Sequence, residues 1–98
     1  MNAHLTDTDM RALTEQGAAW SEIRSIAGEA ARVAGMTLAR VTGPDRSAQV
    51  VRVRDVIAYR AHANGHSYSE ISRALGRDQS TIKASIRREK SRRQEWTK

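Results

Sequence analysis

The stretch SYSEISRALGRDQSTIKASIRR, residues 67–88, decides the fold. Two short apolar-periodic runs flank a single glycine. Ser67 is placed to cap a helix, and Glu70, three residues on, completes a capping box. Tyr68, Ile71, Ala74 and Leu75 recur at helical spacing and form the buried side of a helix over 67–75. Gly76 stops that helix, because glycine enters the left-handed conformation of a helix end without steric penalty. Asp78 caps a second helix over 78–93, whose inward pair is Ile82 and Ile86 at i, i+4 spacing. Two helices about a tight turn make a helix-turn-helix pattern. With Ile82 and Ile86 inward, Gln79, Ser80, Lys83 and Arg87 point largely away from the core.

Working outward, Asn64-Gly65 closes an earlier helix over about 52–63, marked by Val53, Val56, Ile57, Tyr59 and Ala61. The run Val50-Val51-Arg52-Val53 is also compatible with a strand, but the sequence offers no second strand to pair with it. Before it, Thr42-Gly43-Pro44-Asp45-Arg46-Ser47 is the most turn-rich stretch of the chain and reads as an exposed, flexible loop. Trp20, Ile23, Ile26, Ala27, Ala30, Val33 and Ala34 mark another helix, ended by Gly35, and Thr37 is placed to cap a short one containing Leu38 and Val41. Asp7 or Thr6 starts a first helix with Met10 and Leu13, which Gly17 weakens; residues 1–6 read as a frayed end. Beyond Ile86, residues 87–93 carry no apolar stripe and are expected to leave the core, and Trp96 is either exposed in a tail or buried against a partner. The expected organisation is an N-terminal arm or extra helix over 1–19, one domain over 20–93 and a tail over 94–98. The fold class is all-α, a compact helical bundle.

Composition agrees. A chain of 98 residues supports one modest core. With no Phe and four other aromatics, that core is built from Ala, Ile, Leu, Val and Met, which favours helices. There is no cysteine, so disulfides and thiolate metal sites are excluded. No apolar run approaches a membrane span and no leader resembles a signal peptide, so the expected location is the cytoplasm, with nucleoid association. The net charge of +6 is unevenly placed: residues 1–45 hold four arginines against six acids, and residues 46–98 hold thirteen basic residues against five acids. A basic half joined to a mildly acidic one implies a directed positive face, with nucleic acid as the first candidate partner and an anionic membrane surface as the second.

The exposed start of the last helix suits a duplex. Glutamine bonds an adenine edge in bidentate fashion, Ser and Thr bond bases or phosphates, and a helix N-terminus favours a phosphate. Gln79, Ser80, Thr81 and Lys83 are the expected base readers; Arg77, Arg87 and Arg88 are expected phosphate contacts. Other chemistry finds little support. His62 and His66 are four apart, but Asn64-Gly65 breaks the helix between them and no third ligand is evident, so no metal site is expected. No phosphate-binding loop, no catalytic set and no cofactor motif is present, so no cofactor and no enzymatic activity are expected.

The run from Tyr68 to Ile82 resembles the signature of the C-terminal DNA-binding domain of DnaA, the bacterial chromosomal replication initiator. The similarity extends upstream through residues 52–61 and spans about 20–93. The resemblance implies a Trp-repressor-like fold that binds double-stranded DNA. It also implies that Arg46, matching the family's basic-loop arginine, enters the minor groove, and that Arg52 and Arg54 touch phosphate. Of the family's base-reading run, Asp78 and Thr81 are retained, while histidine has become Gln79 and threonine Ser80. Lys83, Glu89 and Arg92 replace residues that are apolar in the family. The fold and DNA binding carry over; these substitutions bear on the base specificity. The implied role is that of a transcriptional regulator of a phage-like element or gene transfer agent, with the transcription machinery as a further partner. The alternatives are a replication-origin accessory protein, a DNA-binding fragment of an insertion-sequence transposase, or an adaptor whose acidic N-terminal helices bind protein.

Overall fold

The computed structural model describes the backbone of residues 7–96 and the side chains of residues 17–95. The expectations for residues 1–6 and for the side chains of Met10, Leu13 and Trp96 lie outside the described residues. Five helices follow one another: α1 (Asp7–Val33), α2 (Leu38–Thr42), α3 (Ala48–Ala63), α4 (Tyr68–Leu75) and α5 (Gln79–Trp96). There is no strand among the described residues. The valine run that was compatible with a strand is the first part of α3, with Val50 fully buried. No described helix is long and apolar enough to cross a membrane.

Helix α3 is the hub. Its Ile57, Ala58 and Ala61 are completely buried against Ile23, Ala27 and Ala31 of α1, Val41 of α2, Ile71 and Leu75 of α4 and Ile82 of α5. The small residues on α1 and α3 let the two helices approach closely. This close face also fixes the rotation of α1. Ala19, Ile23, Ile26, Ala27 and Ala31 point in, while Trp20 and Val33 stay 45% and 74% exposed. The sequence pattern places both of these on the buried stripe; the structure instead turns the alanine-rich side inward.

Helix α1 runs without a break through Gly17 and Gly28, so the expected arm and the expected domain share one helix. A mid-helix glycine costs about 1 kcal/mol relative to alanine, which the packing of the α1 apolar face exceeds several times over. The cap signals hold. Thr37 accepts from the Arg40 amide at 3.1 Å. Ser67 accepts from the Glu70 amide at 3.1 Å, and Glu70 accepts from the Ser67 amide at 2.8 Å. That last bond holds the Glu70 carboxyl below its ordinary pKa. Gly76, at φ 64°, ends α4 by donating its amide to the Ser72 carbonyl.

The expectation that residues 87–93 leave the core is corrected. Helix α5 lies along α3 well past Ile86, and Ser85 and Glu89 are buried while Ile86 is only half-buried. The adhesive is ionic. Asp55, at 0% exposure in the middle of α3, accepts from Arg88 Nε and Nη2, both at 3.0 Å, and from Arg92 Nη1 at 3.0 Å. Glu89 in turn accepts from Arg92 at 3.3 Å and from Arg93 at 3.0 Å, and the Arg93 guanidinium stacks 4.2 Å over the Tyr59 ring. Hydrogen bonds to Asp55 raise the pKa of Arg88 and Arg92.

Candidate nucleic-acid interface

Helix α5 begins where α4 and Gly76 aim it. Ile71 and Leu75 on one side and Ile82 on the other are buried, which fixes the angle between the two helices. Asp78 then organises the first turn. It accepts from the Thr81 amide at 3.1 Å and from Ser80 Oγ at 3.2 Å. Hydrogen bonds from Thr81 are the main reason that its carboxyl lies below its ordinary pKa. Gln79, Ser80, Thr81 and Lys83 are all exposed. Gln79 makes no side-chain hydrogen bond among the described residues, so its amide is free to pair with an external donor and acceptor. Lys83, one turn further, rests its ammonium 5.2 Å from the Tyr68 ring centroid. Tyr68 also stacks on His62 with ring centroids 4.8 Å apart.

The loop between α2 and α3 is braced rather than flexible. Asp45 accepts from Arg40 Nε at 2.9 Å and from the Ser47 amide at 2.8 Å. These contacts, the Ser47 amide foremost, lower its pKa to about 2. From beneath, Arg54 donates to three carbonyls: Val41 at 2.6 Å, Gly43 at 2.7 Å and Asp45 at 2.6 Å. Arg77, from the helix-turn-helix turn, donates to the same Gly43 carbonyl and to that of Gly76. Gly43 itself is closely packed: a β-carbon there would fall 2.8 Å from the Ala39 carbonyl oxygen. Arg46, next to this braced segment, is exposed.

The expected phosphate contacts therefore divide. Arg52 and Arg87 are exposed and donate to no protein group among the described residues. Arg54 is 8% exposed with its donors spent on the loop; burial, and then the like charge of Arg77, lower its pKa. It supports the loop and does not project to a phosphate. Arg88 is half-exposed, but its fork is held by Asp55, so its first role is to fasten α5 to α3. Arg77 joins the turn to the loop, linking the two parts of the surface.

The residue that sequence reading missed is Asp55, the buried anchor of the ionic seam. Its signal was present as an acid on the apolar face of α3 facing a helix that carries Glu89 with Arg92 and Arg93 at i+3 and i+4. Lys90, with Lys83, Arg87, His62 and Tyr68, borders a hollow of about 480 Å³. His66 Nε2 lies 3.1 Å from Glu22 Oε1, off line for a hydrogen bond, and no cluster of three ligands exists among the described residues.

An exposed polar helix tip, set by a glycine turn and flanked by a braced basic loop, defines a helix-turn-helix DNA-binding domain. The family model described as bacterial dnaA protein helix-turn-helix matches residues 23–88, and the chain belongs to that family. The match ends at Arg88, so Glu89, Arg92 and Arg93 of the ionic seam lie beyond it. No curated protein and no solved structure matches the chain.

Proposed function

We propose that this protein binds double-stranded DNA with sequence preference and serves as a transcriptional regulator of a phage-like element or gene transfer agent. The observation that carries the reading is the exposed first turn of α5, where Gln79 has its hydrogen-bonding groups free beside Ser80, Thr81 and Lys83. In a major groove, Gln79 pairs with an adenine edge while Ser80, Thr81 and Lys83 reach neighbouring bases. Arg46, held out from the braced loop, enters the adjacent minor groove, where a narrow cleft concentrates negative potential. Arg52 and Arg87 hold phosphates, while Arg77 ties the helix-turn-helix turn to the loop beside them. Residues 20–93 form the DNA-binding unit. The regulatory role rests on analogy: a DNA reader of this family is suited to recognising promoters.

Site selection from random duplexes tests the reading. Gln79→Ala is expected to weaken the preferred site by ~1–3 kcal/mol and to relax the preference at one or two base pairs. An unchanged preferred sequence would remove Gln79 from the reading set. Mapping bound sites across a genome that carries such an element tests the role: enrichment at its promoters is expected, and enrichment at a replication origin would contradict it.

A further inference from the structure

A groove runs between the last turns of α1 and α3, and of its lining only Arg52 also belongs to the DNA reading. Its lining is largely apolar, with Ala30, Met36, Val53 and Val56 and the outlying Val33, and its volume is about 420 Å³. That size falls within the range of sites that enclose a ligand or a few anchoring side chains. Val33, at 74% exposure, is the most solvent-exposed large apolar residue among the described ones. The rim is basic. Arg52 has no acidic partner among the described residues, and Arg60 faces Glu29 across 3.6 Å with both side chains well exposed. An exposed pair of this kind is worth little and exchanges readily for a better acid.

We infer that this groove docks an acidic amphipathic helix of a protein partner. An apolar floor between two helices receives the i, i+3/i+4, i+7 side chains of an incoming helix, and the guanidinium groups of Arg52 and Arg60 pair with carboxylates on that helix's flanks. The recessed shape favours a protein over a membrane, since a bilayer takes up an apolar face that protrudes along a whole helix. Arg52 lies at the boundary between this groove and the proposed DNA face, so an occupant would sit beside the bound duplex. Docking does not require a duplex, because neither the apolar lining nor Arg60 belongs to the reading surface; Arg52 is the one group that the two would share.

The probe is a designed helical peptide with leucines at i, i+3, i+4 and i+7 and flanking glutamates, compared with the same peptide carrying lysines. Binding is followed by the methyl and amide resonances of the whole chain. The acidic peptide is expected to shift Val33, Met36, Val53 and Val56 and to bind at least about tenfold more tightly than the lysine peptide. Val33→Glu, a change at an exposed position, is expected to abolish that binding while leaving DNA affinity as in the parent. Arg60→Glu is expected to reverse the preference between the two peptides. Equal binding of both peptides would overturn the inference. So would shifts confined to residues 79–83, or vesicles of phosphatidylglycerol perturbing the groove methyls while the acidic peptide leaves them unmoved.

Discussion

The two ends of α5 are both rich in polar and charged residues, and they do opposite things. The first turn exposes Gln79, Ser80 and Thr81, with only the capping Asp78 bonded to the last two. Three turns later, Glu89, Arg92 and Arg93 are turned against α3 and bound to Asp55, to Tyr59 and to one another. One end is turned to solvent; the other is turned to a buried carboxylate. The same contrast divides the arginines into those held by protein oxygens, Arg54, Arg77 and Arg88, and those left outward, Arg46, Arg52 and Arg87.

The sharpest way to break this contrast is to remove the buried partner. Asp55→Ala leaves Arg88 and Arg92 facing one another without their acid. It is expected to lower stability by about 3 kcal/mol, toward the low end for a broken buried pair because both arginines retain access to water. Thermal or denaturant unfolding measures it. A loss below about 1 kcal/mol would mean that the C-terminal half of α5 is held by something other than the seam.

Next come the two arginines of α3 that stand two residues apart. Arg54→Ala removes three hydrogen bonds to loop carbonyls and is expected to cost about 2–3 kcal/mol in folding stability. It should leave the salt dependence of DNA binding nearly unchanged. Arg52→Ala is expected to do the reverse, with little effect on stability and a reduction of about 0.9 in the slope of log affinity against log salt. Unfolding curves and salt titrations on both variants decide it. Equal slope changes would return Arg54 to the phosphate-binding set.

Those two positions also show what the sequence could and could not convey. The helix-turn-helix was legible because Ser67, Glu70, Gly76 and Asp78 act locally, through caps and a left-handed turn whose chemistry is written within three or four residues. The inward side of α4 and the burial of Ile82 were legible from spacing. The roles of Arg52 and Arg54 were not, because a guanidinium reaches a carbonyl as readily as a phosphate, and only the path of the 42–47 loop decides which it meets. The braced state of that loop was hidden for the same reason: its supports, Arg54 and Arg77, are distant in sequence. The fate of Glu89 and Arg92 depended on Asp55, more than thirty residues away, so a lost apolar stripe read as a departing tail. Trp20 was misplaced because size suggested burial, whereas close helix packing selected Ala19.

A smaller effect concerns acid. The Ser47 amide, and then Arg40, hold the Asp45 carboxyl at a pKa of about 2, below its ordinary value of 3.8. A depressed pKa means that the contribution of this group is fully present above the unfolded value and is lost as the pH falls through the folded one. The loop is therefore expected to keep its Ser47 and Arg40 contacts at pH 4 and to release them as the pH approaches 2. The Ser47 amide resonance reports this, and Asp45→Asn should remove the transition. A Ser47 amide that titrates near pH 4 would show that the loop is not braced at Asp45.

The most direct test of the central claim is a resonance titration of the intact chain with a selected duplex. The largest shifts are expected at residues 79–83 and at Arg46, with residues 89–93 and the Arg54 side chain nearly still. Shifts centred on residues 89–93, with the first turn of α5 unmoved, would contradict the account.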